Sequence, residues 1–183
     1  MRLWETVDDL EQAADRIRAR RYGVIQVVEG RLRAVRLRPW PSHASWLDVG
    51  WLGKLSQWRR MSDQCWLYYN QPRCGSNFLT LKYIVTSPST SLRTFRGALL
   101  VLDEVARLKG TDAIVADVAN QRVSDRLLIR WGWEAHCLHR SGRHFIKRFY
   151  GDYPPRDPAW TELAGTEGTG PAWSELARQP INV

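Results

Sequence analysis

The segment from Phe78 to Val118 constrains this chain more than any other. Phe78 to Val85 alternates as a strand does, so Leu79, Leu81, Tyr83 and Val85 are expected to share one face. A polar loop follows, from Thr86 to Ser91. Leu92 to Lys109 then reads as a helix, with Leu99, Leu102, Val105, Ala106 and Leu108 forming its apolar side. Gly110 suits the left-handed residue that closes a helix. Ala113 to Val118 is a nearly continuous apolar run, as in a strand buried on both faces. Strand, loop, helix and strand in this order predict an α/β domain.

The flanks extend the pattern. A helix is predicted from Val123 to Arg130, closed at Gly132. A hairpin is predicted from Trp133–His139 and Arg143–Tyr150 around Ser141-Gly142. Upstream, Leu10, Ala13, Ala14 and Ile17 have helical spacing, which predicts a helix over about Val7–Arg20 with Thr6 as its N-cap. Tyr22–Val28 and Arg31–Arg38 read as strands joined at Glu29-Gly30. The second is out of phase with itself by one residue. A bulge near Ala34-Val35 would put its four arginines on one face. Residues 40–74 hold Trp40, Trp46, Trp51, Trp58 and Trp66, with a helix expected over about Leu47–Arg60. These rings suit either a core or a stacking surface for bases.

The chain has 183 residues, enough for one domain. From Asp152 to Val183 there are five acids, two arginines and five of the nine prolines. That composition predicts a domain over 1–151 followed by a flexible acidic tail over 152–183. The net charge is +8, and the tail carries −3, so residues 1–151 carry 8 + 3 = +11. Such a body attracts polyanions, whether nucleic acid or the phosphates of a nucleotide-like cofactor. Three cysteines are too few for a disulfide framework, and no apolar run reaches membrane-spanning length. The first residues lack a signal-peptide core, so the expectation is a cytoplasmic protein without a membrane partner.

The junction before Leu92 is a natural anion site. The first N–H groups of a helix have no intrahelical partner, and the dipole favours negative charge there. Arg93 and Arg96 add guanidinium groups. Gly97 and Ala98 are small enough for a bulky anion to reach the backbone. The prediction is a diphosphate cradle. It requires that the mouth of the helix be unobstructed by the chain's own side chains, and a plugged mouth would count against an enzyme as a whole. Asp117, near the carboxyl end of the central strand, is a candidate proton acceptor. Tyr83 and Tyr150 are candidate phenolic proton donors. No metal site is expected: His136 and His139 point to opposite faces of a strand, and Cys137 with His139 is only a pair.

Over about residues 78–150, and more weakly over the first 38, the sequence resembles the GNAT superfamily of acyl-CoA-dependent N-acyltransferases. Arg93-Thr94-Phe95-Arg96-Gly97-Ala98 resembles its Gln/Arg-x-x-Gly-x-Gly/Ala loop at the first and last positions, with Arg96 in place of the middle glycine. Asn120 through Trp133 resembles the family's asparagine, helix and Gly-aromatic element, with Leu128 where many members carry a tyrosine acid. The resemblance implies a mixed, mostly antiparallel central sheet flanked by helices, with one splayed strand pair that admits the pantetheine arm. It implies acetyl-CoA or another acyl-CoA as co-substrate. Val85, Arg93, Arg96, Gly97, Ala98 and Asn120 would line it. The acceptor would be an amine on a small molecule or a protein, seated near residues 40–74. The alternative is an inactive module of this fold that binds nucleic acid or a protein through its basic face. Its arginines include eight over residues 16–38.

Overall fold

A computed structural model describes residues 5–39, 63–118, 123–137 and 142–163. It contains β1 (Glu5–Val7), α1 (Ala14–Ala19), β2 (Tyr22–Val28), β3 (Arg31–Arg38), β4 (Gln64–Asn70) and β5 (Phe78–Thr86). Then come α2 (Leu92–Lys109), β6 (Ala113–Asp117), α3 (Asp125–Arg130), β7 (Glu134–His136), β8 (His144–Arg148) and α4 (Ala159–Leu163). The eight strands form one sheet in the order β1-β3-β2-β4-β5-β6-β8-β7. Only β5 and β6 run parallel. This is the mixed, mostly antiparallel α/β architecture expected from the sequence. No helix among the described residues is long and apolar enough to cross a membrane.

The core lies between one face of the sheet and α2. Phe95, Ala98, Leu99, Val101, Leu102, Val105 and Ala106 of the helix are buried. They belong to one cluster with Ile25 and Val27 of β2, Leu67 and Tyr69 of β4, Leu79 and Leu81 of β5, and Ile114 of β6. The helix keeps both of its expected ends. Ser91 Oγ accepts the Thr94 N–H at 3.1 Å, and Gly110 closes it at φ 64°.

Two bulges correct the reading of faces. In β5, Tyr68 pairs with Tyr83 but Tyr69 pairs with Leu81, so Lys82 is the extra residue. Leu79 and Leu81 therefore face α2, whereas Tyr83 and Val85 point to the other side, not with them as strict alternation predicted. In β3 the extra residue is Arg33, because Gln26 pairs with Ala34 and Val27 with Leu32. The expected bulge is thus present one residue earlier, and Arg31, Arg36 and Arg38 share the face opposite α2.

The amino-terminal helix is shorter than its periodicity suggested. Thr6 lies in β1, paired with Arg36, and caps nothing. Asp9 Oδ1 instead accepts the N–H groups of Glu11 and Gln12 at 2.8 and 3.1 Å, and the turns it stabilises lead into α1. Leu10, Ala13 and Ile17 are still buried. The helix expected over about Leu47–Arg60, the short helix near Trp173–Arg178 and all the tryptophans of the 40–74 region except Trp66 lie outside the described residues.

Residues 152–163, read from composition as the start of a flexible tail, pack against α2. The Tyr153 ring stacks on Phe149 at 4.9 Å, and its hydroxyl donates to Thr111 O at 2.6 Å. Arg156 pairs with Glu104 and Glu11, and Asp157 with Arg96. Leu163 of α4 is buried. Prolines 154, 155 and 158 belong to an ordered strap anchored at both ends.

Candidate functional site

The parallel pair β5–β6 is short. It runs from Phe78↔Ala113 to Leu81↔Ala116 and stops at the Lys82 bulge. Beyond it β5 follows β4 as far as Thr86, while β6 follows β8 as far as Asp117. The bulge bends β5 away from β6 and opens a fork in the middle of the sheet. A cavity of about 230 Å³ fills the fork. It is lined by Lys82, Tyr83, Ile84 and Thr86 on one side, and by Asp117, Val118 and Val123 on the other. Ser87, Pro88 and Thr90 of the loop and Phe95 of α2 close it. The splay that the resemblance implied is therefore present, because the two strands follow different neighbours beyond Leu81 and Ala116.

Tyr83 and Asp117 are the two proposed site residues that this geometry brings together. Tyr83 is 44% exposed and meets Tyr68 edge-on at 6.3 Å. Asp117 carries a partner that no local sequence pattern marks. His144 is its register partner on β8, and the imidazole Nδ1 contacts Asp117 Oδ1. Paired residues on adjacent antiparallel strands project to the same face, which is why residues 27 apart meet here. A strand-register argument pairing the hairpin with β6 would have been needed to find it.

The diphosphate cradle does not form as predicted. The Asp63 carboxylate stands at the mouth of α2. Its Oδ1 accepts the Ser91 N–H at 2.8 Å, and its Oδ2 accepts the hydroxyls of Ser91 and Thr94 at 2.6 and 2.7 Å. The Thr94 hydroxyl also accepts the Gly30 N–H at 2.8 Å. In the preceding loop Ser87 Oγ and Thr90 Oγ1 lie 2.9 Å apart, and Thr90 Oγ1 donates to Gln64 O at 2.7 Å. The serine and threonine groups of the loop thus hold it to β4. A diphosphate at this mouth would face a fixed carboxylate.

The arginines point elsewhere. The Arg93 side chain lies across Gly30, so close that a Cβ there would sit 2.6 Å from its Nε. Arg96 pairs with Asp157 of the strap at 2.5 Å. Gly97 is small for packing: a Cβ would come within 2.9 Å of Leu163. Ala98 is fully buried in the core. Val85 faces away from the core, and its neighbours Ile84 and Thr86 line the fork in its place. Asn120 lies outside the described residues. Tyr150 is 72% exposed, and its N–H donates to Asp112 O, at the end of β6 remote from the fork, so it is no candidate acid there. Leu128 is a buried core residue.

Burial, with the Asp63 carboxylate beside it, pushes the Cys65 thiol up to about 12, so it is no nucleophile at neutral pH. No group of side chains among the described residues is arranged to hold a metal ion.

No family model matches the chain, and no curated protein matches it. Among solved structures, one of a candidate acetyltransferase of the GNAT family from Desulfovibrio desulfuricans aligns with 46% of this chain at 18% identity and a TM-score of 0.37. The aligned part is 59% of that structure's chain, less than two thirds of its length.

Proposed function

We propose that this chain is an acyltransferase that lays the pantetheine arm of an acyl-CoA in the fork between β5 and β6 and passes the acyl group to an amine. The observation that supports this reading most is the fork itself, with Asp117 on its rim and His144 behind it. A slot between two diverging strands suits an amide-bearing arm, which can bond to strand backbone. The donor supplies a thioester carbonyl; the chain's residues must orient the reactants and take a proton. On this reading the imidazole of His144 takes the amine proton, while Asp117, in contact with its Nδ1, holds the ring and balances its charge. The phenol of Tyr83, on the opposite rim, is placed to return a proton to the leaving thiolate.

The diphosphate does not fit the mouth of α2 while Asp63 occupies it, so Arg93, Arg96 and Gly97 have no part in donor binding on this reading. Calorimetry with acetyl-CoA and with acetyl-pantetheine tests it. Both should bind, with affinities within a few-fold of each other. Failure of both to bind would end the proposal.

The occupied helix mouth favours a second reading, a non-catalytic module. Its partner would be nucleic acid, held on the face that carries Arg31, Arg36 and Arg38. Titration with single-stranded RNA at two salt concentrations distinguishes the two. RNA binding with a steep salt slope, in a chain that binds neither thioester, would support the second reading.

A further inference from the structure

A second cavity, of about 240 Å³, lies on the other flank of α2, beneath the strap formed by residues 153–160. Phe95, which lines the fork, and Trp131, which lines this cavity, are in ring contact at 5.7 Å and stand between the two spaces. The walls are aromatic: Trp131, Trp133, Trp160, Phe149 and Tyr153. The strap cannot simply settle onto α2. Tyr153 pins one end through its bond to Thr111 O, and Leu163 pins the other against Gly97. Between these anchors Pro154 and Pro155 keep the chain extended.

Charge in this cavity is unbalanced. Arg96, Arg107, Arg130, Lys147 and Arg156 line it, against Asp103, Glu104 and Asp157. Asp157 is taken by Arg96 and Asp103 by Lys147, at 2.5 and 2.6 Å. Glu104 is shared by Arg107 and Arg156, and Arg156 also pairs with Glu11, which stands outside the lining. Arg130 is exposed and makes no ion pair with the described residues. With Glu11 counted, the cations here exceed the carboxylates that pair with them by one, and the excess falls on Arg130.

We propose that this cavity is a binding site for a small anion carrying a flat ring. The tryptophan and phenylalanine faces receive the ring, and Arg130, with the doubly shared Arg107–Glu104–Arg156 cluster, receives the negative group. Its volume is below the roughly 300–1,000 Å³ of drug-sized sites, which limits the ligand to one or two fused rings. An aromatic carboxylate and a nucleoside monophosphate both satisfy this chemistry.

The test follows indole N–H resonances of the full chain during titration with 2-naphthoate, adenosine monophosphate and the cation 2-naphthylmethylammonium. Saturable shifts of Trp131, Trp133 and Trp160 are expected with one or both anions and not with the cation. The tighter anion tells whether carboxylate or phosphate is preferred. Leu100 also lines the cavity, and Leu100→Trp should fill it and abolish the shifts. Arg130→Glu, at an exposed position, should weaken binding several-fold without altering the melting temperature. An equal response to the cation, an absence of saturable shifts, or undiminished binding in Arg130→Glu would overturn the proposal.

Discussion

The Asp63 carboxylate and Ser91 are joined twice, through the serine's N–H at 2.8 Å and its hydroxyl at 2.6 Å. Together with the bond from the Thr94 hydroxyl, this seals the first turn of α2 with a charge of the chain's own. A carboxylate there satisfies orphan donors and sits favourably in the helix dipole. The node also ties α2 to the β2–β3 turn, because Thr94 accepts from Gly30.

Asp63→Ala should therefore destabilise the protein. Three hydrogen bonds to a charged group are lost, and the buried Thr94 hydroxyl loses its acceptor. A cost of about 2–3 kcal/mol is expected, since removing one partner leaves buried groups unsatisfied. Chemical denaturation would read it as a lower midpoint. A change below about 0.5 kcal/mol, the range of ordinary surface substitutions, would mean that Asp63 is not holding the helix.

The double variant Arg93→Ala, Arg96→Ala separates the sequence-based cradle from the structure. The cradle requires donor affinity to fall several-fold. The structure places both side chains away from the fork, so acetyl-CoA affinity should stay within twofold of the parent. What should change is the strap. Without Arg96, Asp157 loses its partner, and limited proteolysis should cut sooner within residues 152–163. A large loss of acetyl-CoA affinity, with the strap as protected as before, would restore the cradle.

The elements with strong local signals were legible in the sequence. The helix Leu92–Lys109 carried its own periodicity and terminal glycine, and those are short-range facts. The fork was legible only through a family likeness, because its cause is a single extra residue, Lys82, that changes no composition. The local signals for a cradle are ambiguous for a physical reason. Arginines and small residues beside a helix N-terminus suit a diphosphate. They suit equally an ion pair with Asp157 and close packing under Leu163, partners 61 and 66 residues away. Asp63, 28 residues before Ser91, carries no local mark of its role. The packing of residues 152–163 leaves no clear local mark, because proline content describes stiffness as well as disorder.

His144 and Asp117 should behave as a unit if the fork is an active site. His144→Ala and Asp117→Asn should each lower kcat by about 10² or more, a typical contribution of general-base catalysis. KM for the donor should change little, because neither group is asked to bind it. The double variant should be hardly worse than either single one, since removing one member already disables the pair. Thiol release from acetyl-CoA, followed with a chromogenic disulfide once an acceptor amine is found, supplies the measurement. Full activity in His144→Ala would remove the imidazole from the mechanism.

Lys109, in the last turn of α2, provides a pH-dependent check on how that end of the helix is buried. Its ammonium donates to Arg20 O at 2.7 Å and to Gln71 Oε1 at 3.0 Å. Burial first, and then the nearby Arg21 charge, lower its pKa from 10.5 to about 8. Between these values the unfolded chain holds a proton that the folded chain has released. The contribution of this group to stability is therefore complete above about pH 10.5 and is lost as pH falls to about 8. Lys109→Met removes the titration. Other groups, tyrosines included, also titrate in this window, so the informative quantity is the difference between parent and variant. Urea midpoints at pH 8 and pH 10 should show the parent gaining on Lys109→Met as the pH rises. Parallel behaviour of the two proteins would mean that Lys109 keeps an ordinary lysine pKa, and that this end of α2 is open to water.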